Sequence, residues 1–274
     1  MDTRPIGVFD SGLGGLTVIR ELEKILPGED IVYFGDTGRV PYGTKGHDTI
    51  AKYAAQDMRF LHSFDVKAII IACGTVSSVA FDDIASVSPI PVIGVVTPAA
   101  VAAVSAVAAM KNRKIGVLGT SATIRSGSYQ KVINRLNPDV QVISRACPLF
   151  VPLVENGHFE ADDRLAELAA HEYLDEFEGL GVDTVILGCT HYPILSEIIG
   201  RVLGDSVTLI DSGREASHAA KQTFAQMGIL SQNQTGGKCR FYVSDYTDDF
   251  ARLASILLAH SLSGYVEKTD IEKY

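Results

Sequence analysis

The stretch IGVFDSGLGGLTVIRELEKIL, residues 6–26, decides the fold. Its first five residues are a short apolar run that reads as a strand over 6–10. A glycine-rich turn, SGLGG, follows at 11–15. Leu16, Ile19, Leu22, Ile25 and Leu26 then recur at the helical period and predict a helix over 16–26 with one apolar face. A buried strand passing at once into an amphipathic helix is the opening of a β-α unit, and the rest of the chain repeats it. Further strands are expected at DIVYFG (30–35), KAIIIAC (67–73), PVIGVV (91–96), KIGVLGT (114–120), VQVISRA (140–146), DTVILGC (183–189), SVTLID (206–211) and CRFYVSD (239–245). DRLAELAAHEYLDEF (163–177) carries the helical period again. Near-continuous apolar strands alternating with helices imply parallel sheets covered on both faces, an α/β fold.

The strands fall into two series that resemble each other. Each begins with a strand followed by small polar residues, FDSG at 9–12 and LGTSAT at 118–123. Each has a third strand ending in a thiol and a hydroxyl, ACGT at 72–75 and GCTH at 188–191. This is the pattern of two similar α/β halves. Ligands of open α/β sheets sit beyond the carboxyl ends of the strands. If the halves face each other, these strand ends meet in one cleft.

The chain has 274 residues, 46% hydrophobic, enough for one large domain or two modest ones. A net charge of −9 argues against nucleic-acid and anionic-membrane partners. No apolar run reaches the ~18–20 residues of a membrane span, and MDTRPIGVFDSG has no signal-peptide core. A cytoplasmic location is expected. The four cysteines, Cys73, Cys147, Cys189 and Cys239, are widely spaced, without the close pairs of a disulfide framework or a zinc site.

Several motifs have an ordinary reading beside a functional one. SGLGG misses the dinucleotide fingerprint, because Thr17 stands at its last position, and it lacks the lysine of a phosphate loop. It reads as a tight turn whose N–H groups could hold a carboxylate. VPYG (40–43) is a turn by composition that could also press Tyr42 and backbone N–H groups onto a ligand. The hydroxyls of TSATIRS (120–126) suit helix capping. Taken alone, Cys73 reads as core, since free cysteine packs like a small hydrophobe. Cys189 is followed two residues on by His191, and an imidazolium favours the thiolate. Asp10, from the first strand, could lie beside Cys73 as a proton acceptor. A hydrolase needs one nucleophile, and a redox pair needs sulfurs almost in contact. Two thiols on opposite walls of a cleft suit removal of a proton from a carbon by one and its return to the other face by the second. Cys147 and Cys239 read as structural. His47, His62, His158, His171, His218 and His260 read as surface or packing residues.

FDSGLGGLTV, YFGDTGRVPYG, IACGT, ACPLFVPLVE, LGCTHYP and IDSGRE, in this order, resemble the cofactor-independent glutamate racemases of the aspartate/glutamate racemase superfamily. The resemblance implies two pseudo-symmetric three-layer α/β domains with mainly parallel sheets and the active site in the cleft between them. The first holds 1–96 plus 211–274, and the second 97–210. It implies that Cys73 deprotonates the D isomer and Cys189 the L isomer. Asp10 and His191 are auxiliary proton-handling groups, with Glu155 a further carboxylate near His191. Ser11, Gly74, Thr75, Thr120, Thr123 and Thr190 line the substrate site, and Pro41, Tyr42 and Gly43 close over it. It further implies a homodimer and a product, D-glutamate, that feeds peptidoglycan synthesis. The family usually reads Cys-Asn-Thr where this sequence has Cys73-Gly74-Thr75, so the role of that amide does not transfer. A lost hydrogen bond to a charged group costs about 1.5–3 kcal/mol. Glutamate remains the expected substrate because the other blocks match, with aspartate as the alternative acidic amino acid. A non-catalytic two-lobed amino-acid binding protein is the other alternative. Only Lys45, in an exposed-looking turn, could serve as a Schiff-base lysine near a strand end. No cofactor and no metal are therefore expected, and carbanion-like charge would be met by preorganised donors.

Overall fold

A computed structural model describes residues 2–110, 112–177, 179–246, 250–259 and 266–274. His260 lies outside the described residues, as does part of the 211–274 segment. Ten strands are present among them: β1 (Ile6–Asp10), β2 (Ile31–Gly35), β3 (Ala68–Ile71), β4 (Val92–Gly94), β5 (Lys114–Gly119), β6 (Gln141–Ala146), β7 (Thr184–Leu187), β8 (Thr208–Asp211), β9 (Cys239–Val243) and β10 (Val266–Lys268). They form two sheets with the orders β10-β9-β2-β1-β3-β4 and β6-β5-β7-β8. Every strand pair is parallel. The order β2-β1-β3-β4 of the first sheet recurs as β6-β5-β7-β8 in the second, so the likeness of the two strand series extends to their topology.

Parallel neighbours need crossover connections, which place helices on the sheet faces. The strand interiors follow from that. All residues of β1, β2, β3 and β7 are buried, and alternate residues serve opposite faces. Ala68 and Ile70 of β3 join one apolar cluster with Ile6 and Val8, while Ile69 and Ile71 join Phe9 and Phe34 on the other face. The helix Leu16–Ile25 buries Leu16, Val18, Ile19 and Leu22 against the first face. Each such side chain contributes about 1.5–3 kcal/mol. The second helical pattern forms Arg164–Leu174, started by Asp163 Oδ1, which accepts the N–H groups of Leu165 (2.9 Å) and Ala166 (3.0 Å), and it ends in a tighter turn over Asp175–Phe177.

Most strands are one to three residues shorter than the expected spans. The difference matters at the thiols. Cys73 and Cys189 each lie two residues beyond β3 and β7, outside the ladders. Cys73 instead caps the helix Gly74–Val79, its sulfur accepting the Val76 N–H at 3.5 Å. The strand β10, three residues reading Val-Glu-Lys, carries no sequence signal of its own and is held by pairing with β9.

The chain passes from the first sheet to the second through the helix Val96–Val107 and returns through Ser212–Met227, and these two helices pack against each other. Among the described residues no helix is long and apolar enough to cross a membrane.

Candidate active site

The register puts the ends of β1 and β3 side by side, Phe9 opposite Ile71, and the ends of β5 and β7 likewise, Leu118 opposite Leu187. The loops leaving these strands wall a cavity of about 330 Å³. Ser11, Cys73, Gly74 and Thr75 line it from the first half, and Thr120, Cys189, Thr190 and His191 from the second. Pro41, Tyr42, Gly43 and Glu155 of the expected set also line it. Asp10 and Thr123 do not line the cavity. Both are about 1% exposed and stand behind residues that do. The cavity also has an apolar wall of Pro148, Val151 and Pro152, which sequence reasoning did not single out. These residues lie within ACPLFVPLVE, yet nothing in their own chemistry marks them as wall rather than core. No lysine or arginine is among the described lining residues. Lys45 faces a separate, larger cavity.

SGLGG does hold a carboxylate, and it is the protein's own. Asp10 Oδ2 accepts the Gly12 N–H at 3.0 Å. Burial raises the Asp10 carboxyl above the usual range, against the lowering effects of the His191 charge and the N–H groups of Gly15, Gly12 and Ser11. Its second oxygen, Oδ1, is buried with no hydrogen-bond partner. Asp10 does not hydrogen-bond Cys73 directly. The Cys73 thiol donates to Ser11 Oγ at 3.4 Å. Burial, followed by the Asp10 charge, pushes that thiol up to about 12, while the Ser11 and Val76 hydrogen bonds work the other way. Cys73 is therefore held as a thiol at neutral pH. The ordinary reading of Cys73 also holds, since it is 3% exposed and packs in the same cluster as Ile69, Ile71 and Val76.

The second thiol has different company. Cys189 Sγ is 3.9 Å from His191 Nδ1, and His191 Nε2 is 3.1 Å from Glu155 Oε1. Burial would lower the imidazole, but the bonds to Cys189 and Glu155 outweigh it and raise the ring to about 10. At neutral pH the ring is an imidazolium, with the Cys189 sulfur against one nitrogen and the Glu155 carboxyl against the other.

The halves meet across the cavity at close quarters. Thr75 Oγ1 and Thr120 Oγ1 are 2.9 Å apart, and Thr120 Oγ1 donates to Thr123 Oγ1 at 3.1 Å. Thr17 Oγ1 donates to the Thr190 carbonyl at 3.2 Å. Two glycines permit this approach. A Cβ on Gly14 would sit 2.2 Å from Thr190 Oγ1 and 2.5 Å from His191 Nδ1. A Cβ on Gly74 would sit 2.1 Å from the Gly188 carbonyl oxygen. The loop bearing Cys73 and the loop bearing Cys189 thus touch backbone to backbone, and Gly74 is the point of contact.

Tyr42 is placed otherwise than as a ligand-facing hydroxyl. Its ring is buried and its hydroxyl is bonded by Asp36 and Asp57, so the turn faces the cavity with backbone, Pro41 and Gly43. Cys147 and Cys239 take no part in the cavity. Among the other histidines, His47, His158 and His171 pair with nearby aspartates away from it.

The model of the Asp/Glu/Hydantoin racemase family matches residues 6–220. A glutamate racemase of Geobacter metallireducens is 42% identical over 272 residues, 99% of this chain and 98% of that protein. The crystal structure of glutamate racemase from Francisella tularensis subsp. tularensis SCHU S4 in complex with D-glutamate superposes with a TM-score of 0.92 at 41% identity, covering 100% of both chains. Glutamate racemase from Thermus thermophilus in complex with beta-chloro-D-alanine gives a TM-score of 0.87 at 40% identity, again over 100% of both chains.

Proposed function

This chain belongs to the Asp/Glu/Hydantoin racemase family, and from that premise we propose that it interconverts L- and D-glutamate through Cys73 and Cys189, without a cofactor. The observation that carries the reading is the placement of two thiols at equivalent strand ends on the two sides of one cavity. A two-lobed binding protein needs donors but has no use for that pair. We divide the chain as 1–96 with 211–274, and 97–210, with the reacting carbon between.

The α-proton of an amino acid is weakly acidic, so the site must supply a base on one face and an acid on the other. In the L-to-D direction Cys189, as thiolate beside the His191 imidazolium, takes the α-proton. Cys73, held as a thiol by burial, donates its proton to the opposite face. The proton count balances, because Cys189 ends as thiol and Cys73 as thiolate. The reverse direction starts from that state; to reach it from the resting enzyme, Asp10 behind Ser11 accepts the Cys73 proton while His191 gives one to Cys189. Glu155, its side chain 36% exposed, links the buried His191 to solvent. Negative charge developing on the substrate carboxylate is met by fixed donors, the hydroxyls of Ser11, Thr75, Thr120 and Thr190 and the backbone of the 41–43 turn. Such preorganised donors are worth roughly 10²–10³ in rate each. Exclusion of water from the cavity strengthens them. The product supplies D-glutamate for peptidoglycan synthesis. A cytoplasmic location and a homodimer complete the proposal, the latter checked by sedimentation at twice the chain mass.

L-glutamate incubated with the protein in deuterated water is expected to lose its optical activity and gain deuterium at Cα, with L-aspartate turned over far more slowly. Circular dichroism and proton NMR read the two effects. Retained optical activity with binding intact would favour a binding protein, and faster turnover of aspartate would reassign the substrate.

A further inference from the structure

Behind the Val40–Gly43 turn lies a buried polar cluster to which the proton transfers assign no task. Asp36 follows β2, Arg39 stands three residues on, and Gln56 and Asp57 face them from the helix His47–His62. The side chains of Asp36 and Asp57 are fully buried, and that of Arg39 is 12% exposed. Arg39 Nε donates to Asp36 Oδ2 at 2.6 Å, and Nη2 to Asp57 Oδ1 at 3.2 Å. Nη1 reaches Gln56 Oε1 at 2.5 Å and Glu272 Oε1 at 3.2 Å. The guanidinium also lies over the Tyr53 ring, 4.0 Å from its centroid. Into this cluster the turn inserts Tyr42, whose hydroxyl donates to Asp36 Oδ2 and lies 3.3 Å from Asp57 Oδ2.

Two carboxylates buried with one guanidinium leave an unpaired negative charge, which a dry interior does not tolerate. One of them must hold a proton. Burial and the charge of Asp36 push Asp57 well above the ordinary range, so the proton belongs there and Asp36 pairs with Arg39. The contact at 3.3 Å is then a bond that Asp57 donates to the Tyr42 oxygen, while the Tyr42 hydroxyl donates onward to Asp36. The opposite side of the turn is cavity wall. Gly43 lies so near the second half that a Cβ on it would be 2.7 Å from Thr120 Cβ. From behind, the turn is held by this cluster and by the Tyr42 ring, which packs with Ile50 and Ala54 and lies 5.4 Å, centroid to centroid, from the Tyr53 ring.

We propose that Asp57, acting through Tyr42 and with Arg39, is a positioning residue for the substrate. It holds the Pro41–Gly43 turn at the cavity edge, although it touches no substrate itself. The proposal rests on the racemase reading above for its substrate. An aspartyl group that acts as a neutral donor is replaced in shape and in hydrogen bonding by asparagine, and not by alanine. The test compares Asp57→Ala and Asp57→Asn with the unaltered protein in glutamate racemisation and in native-state trypsin cleavage after Lys45, two residues beyond the turn. Asp57→Ala is expected to raise KM about tenfold, the loss of one buried hydrogen bond, with kcat within about threefold. Cleavage after Lys45 is expected to accelerate at least about fivefold, as a released turn opens locally. Asp57→Asn is expected to leave KM and cleavage within about twofold of the unaltered protein. An unchanged KM and cleavage rate in Asp57→Ala would overturn the proposal, and so would an Asp57→Asn as impaired as the alanine variant. Failure of the unaltered protein to racemise glutamate would overturn the racemase reading alone, because the cleavage comparison still decides whether Asp57 holds the turn.

Discussion

Cys73→Ala is expected to lower kcat/KM for L- and D-glutamate by the same factor, on the order of 10²–10⁴, and Cys189→Ala to do the same. The equality follows from thermodynamics, since enantiomers have equal free energy in water and a catalyst cannot favour one direction. The asymmetry of the site must show elsewhere. With Cys73 removed, Cys189 still faces the α-proton of L-glutamate, takes it, and returns a proton from solvent to the same face through His191 and Glu155. Cys73→Ala is therefore expected to exchange the α-proton of L-glutamate without inversion and to leave D-glutamate untouched. Cys189→Ala does the reverse. Proton NMR of each enantiomer in deuterated water, with optical rotation followed in parallel, reads both effects. A single-thiol variant that racemises at the native rate, or one that exchanges both enantiomers equally, would remove the two-thiol mechanism.

The second large effect belongs to Gly74. The sequence presents this residue as a missing amide. The structure presents it as a close contact, because its Cβ would stand 2.1 Å from the Gly188 carbonyl, more than an ångström inside ordinary packing distance. The obstacle is backbone, which cannot swing aside as a flexible side chain does. Gly74→Ala therefore separates the two thiol loops, and a misplacement of about 1 Å in a reacting constellation costs on the order of 10²-fold. The loss is expected in kcat/KM, with the thermal midpoint little changed, because the contact sits at the cavity edge and not in an apolar cluster. Gly74→Asn meets the same carbonyl and is expected to be no better than alanine. An asparagine variant more active than the unaltered protein would show that the missing amide, and not the close approach, governs this position.

The parts of the fold written in short-range patterns were legible. An apolar run of a few residues and a helical stripe such as Leu16 to Leu26 report burial directly, and both sheets follow from them. The thiols were legible because they recur at the same point of two similar strand series. What one sequence does not carry is the partner of a residue across the cleft. Gly14 reads as a turn glycine and Gly74 as a missing amide, yet the atoms that exclude a Cβ from them come from residues 188–191, more than a hundred positions away. Tyr42 read as a ligand-facing side chain because its buried partner Asp57 sits on another helix. The strand β10 was missed for a related reason. Its three residues become a strand only through β9, and their own composition argues for a loop.

The two passages of the chain between the sheets have a mechanical consequence. A body tied by one link can swing and twist about it, whereas a body tied by two neighbouring links keeps a single axis, the line joining them. The helices Val96–Val107 and Ser212–Met227 are those links, and they are packed together. Two neighbouring links permit opening of the cavity by rotation about that line and resist torsion between the halves. A joint of that kind favours one relative attitude of the loops that carry Cys73 and Cys189, whatever occupies the cavity between them.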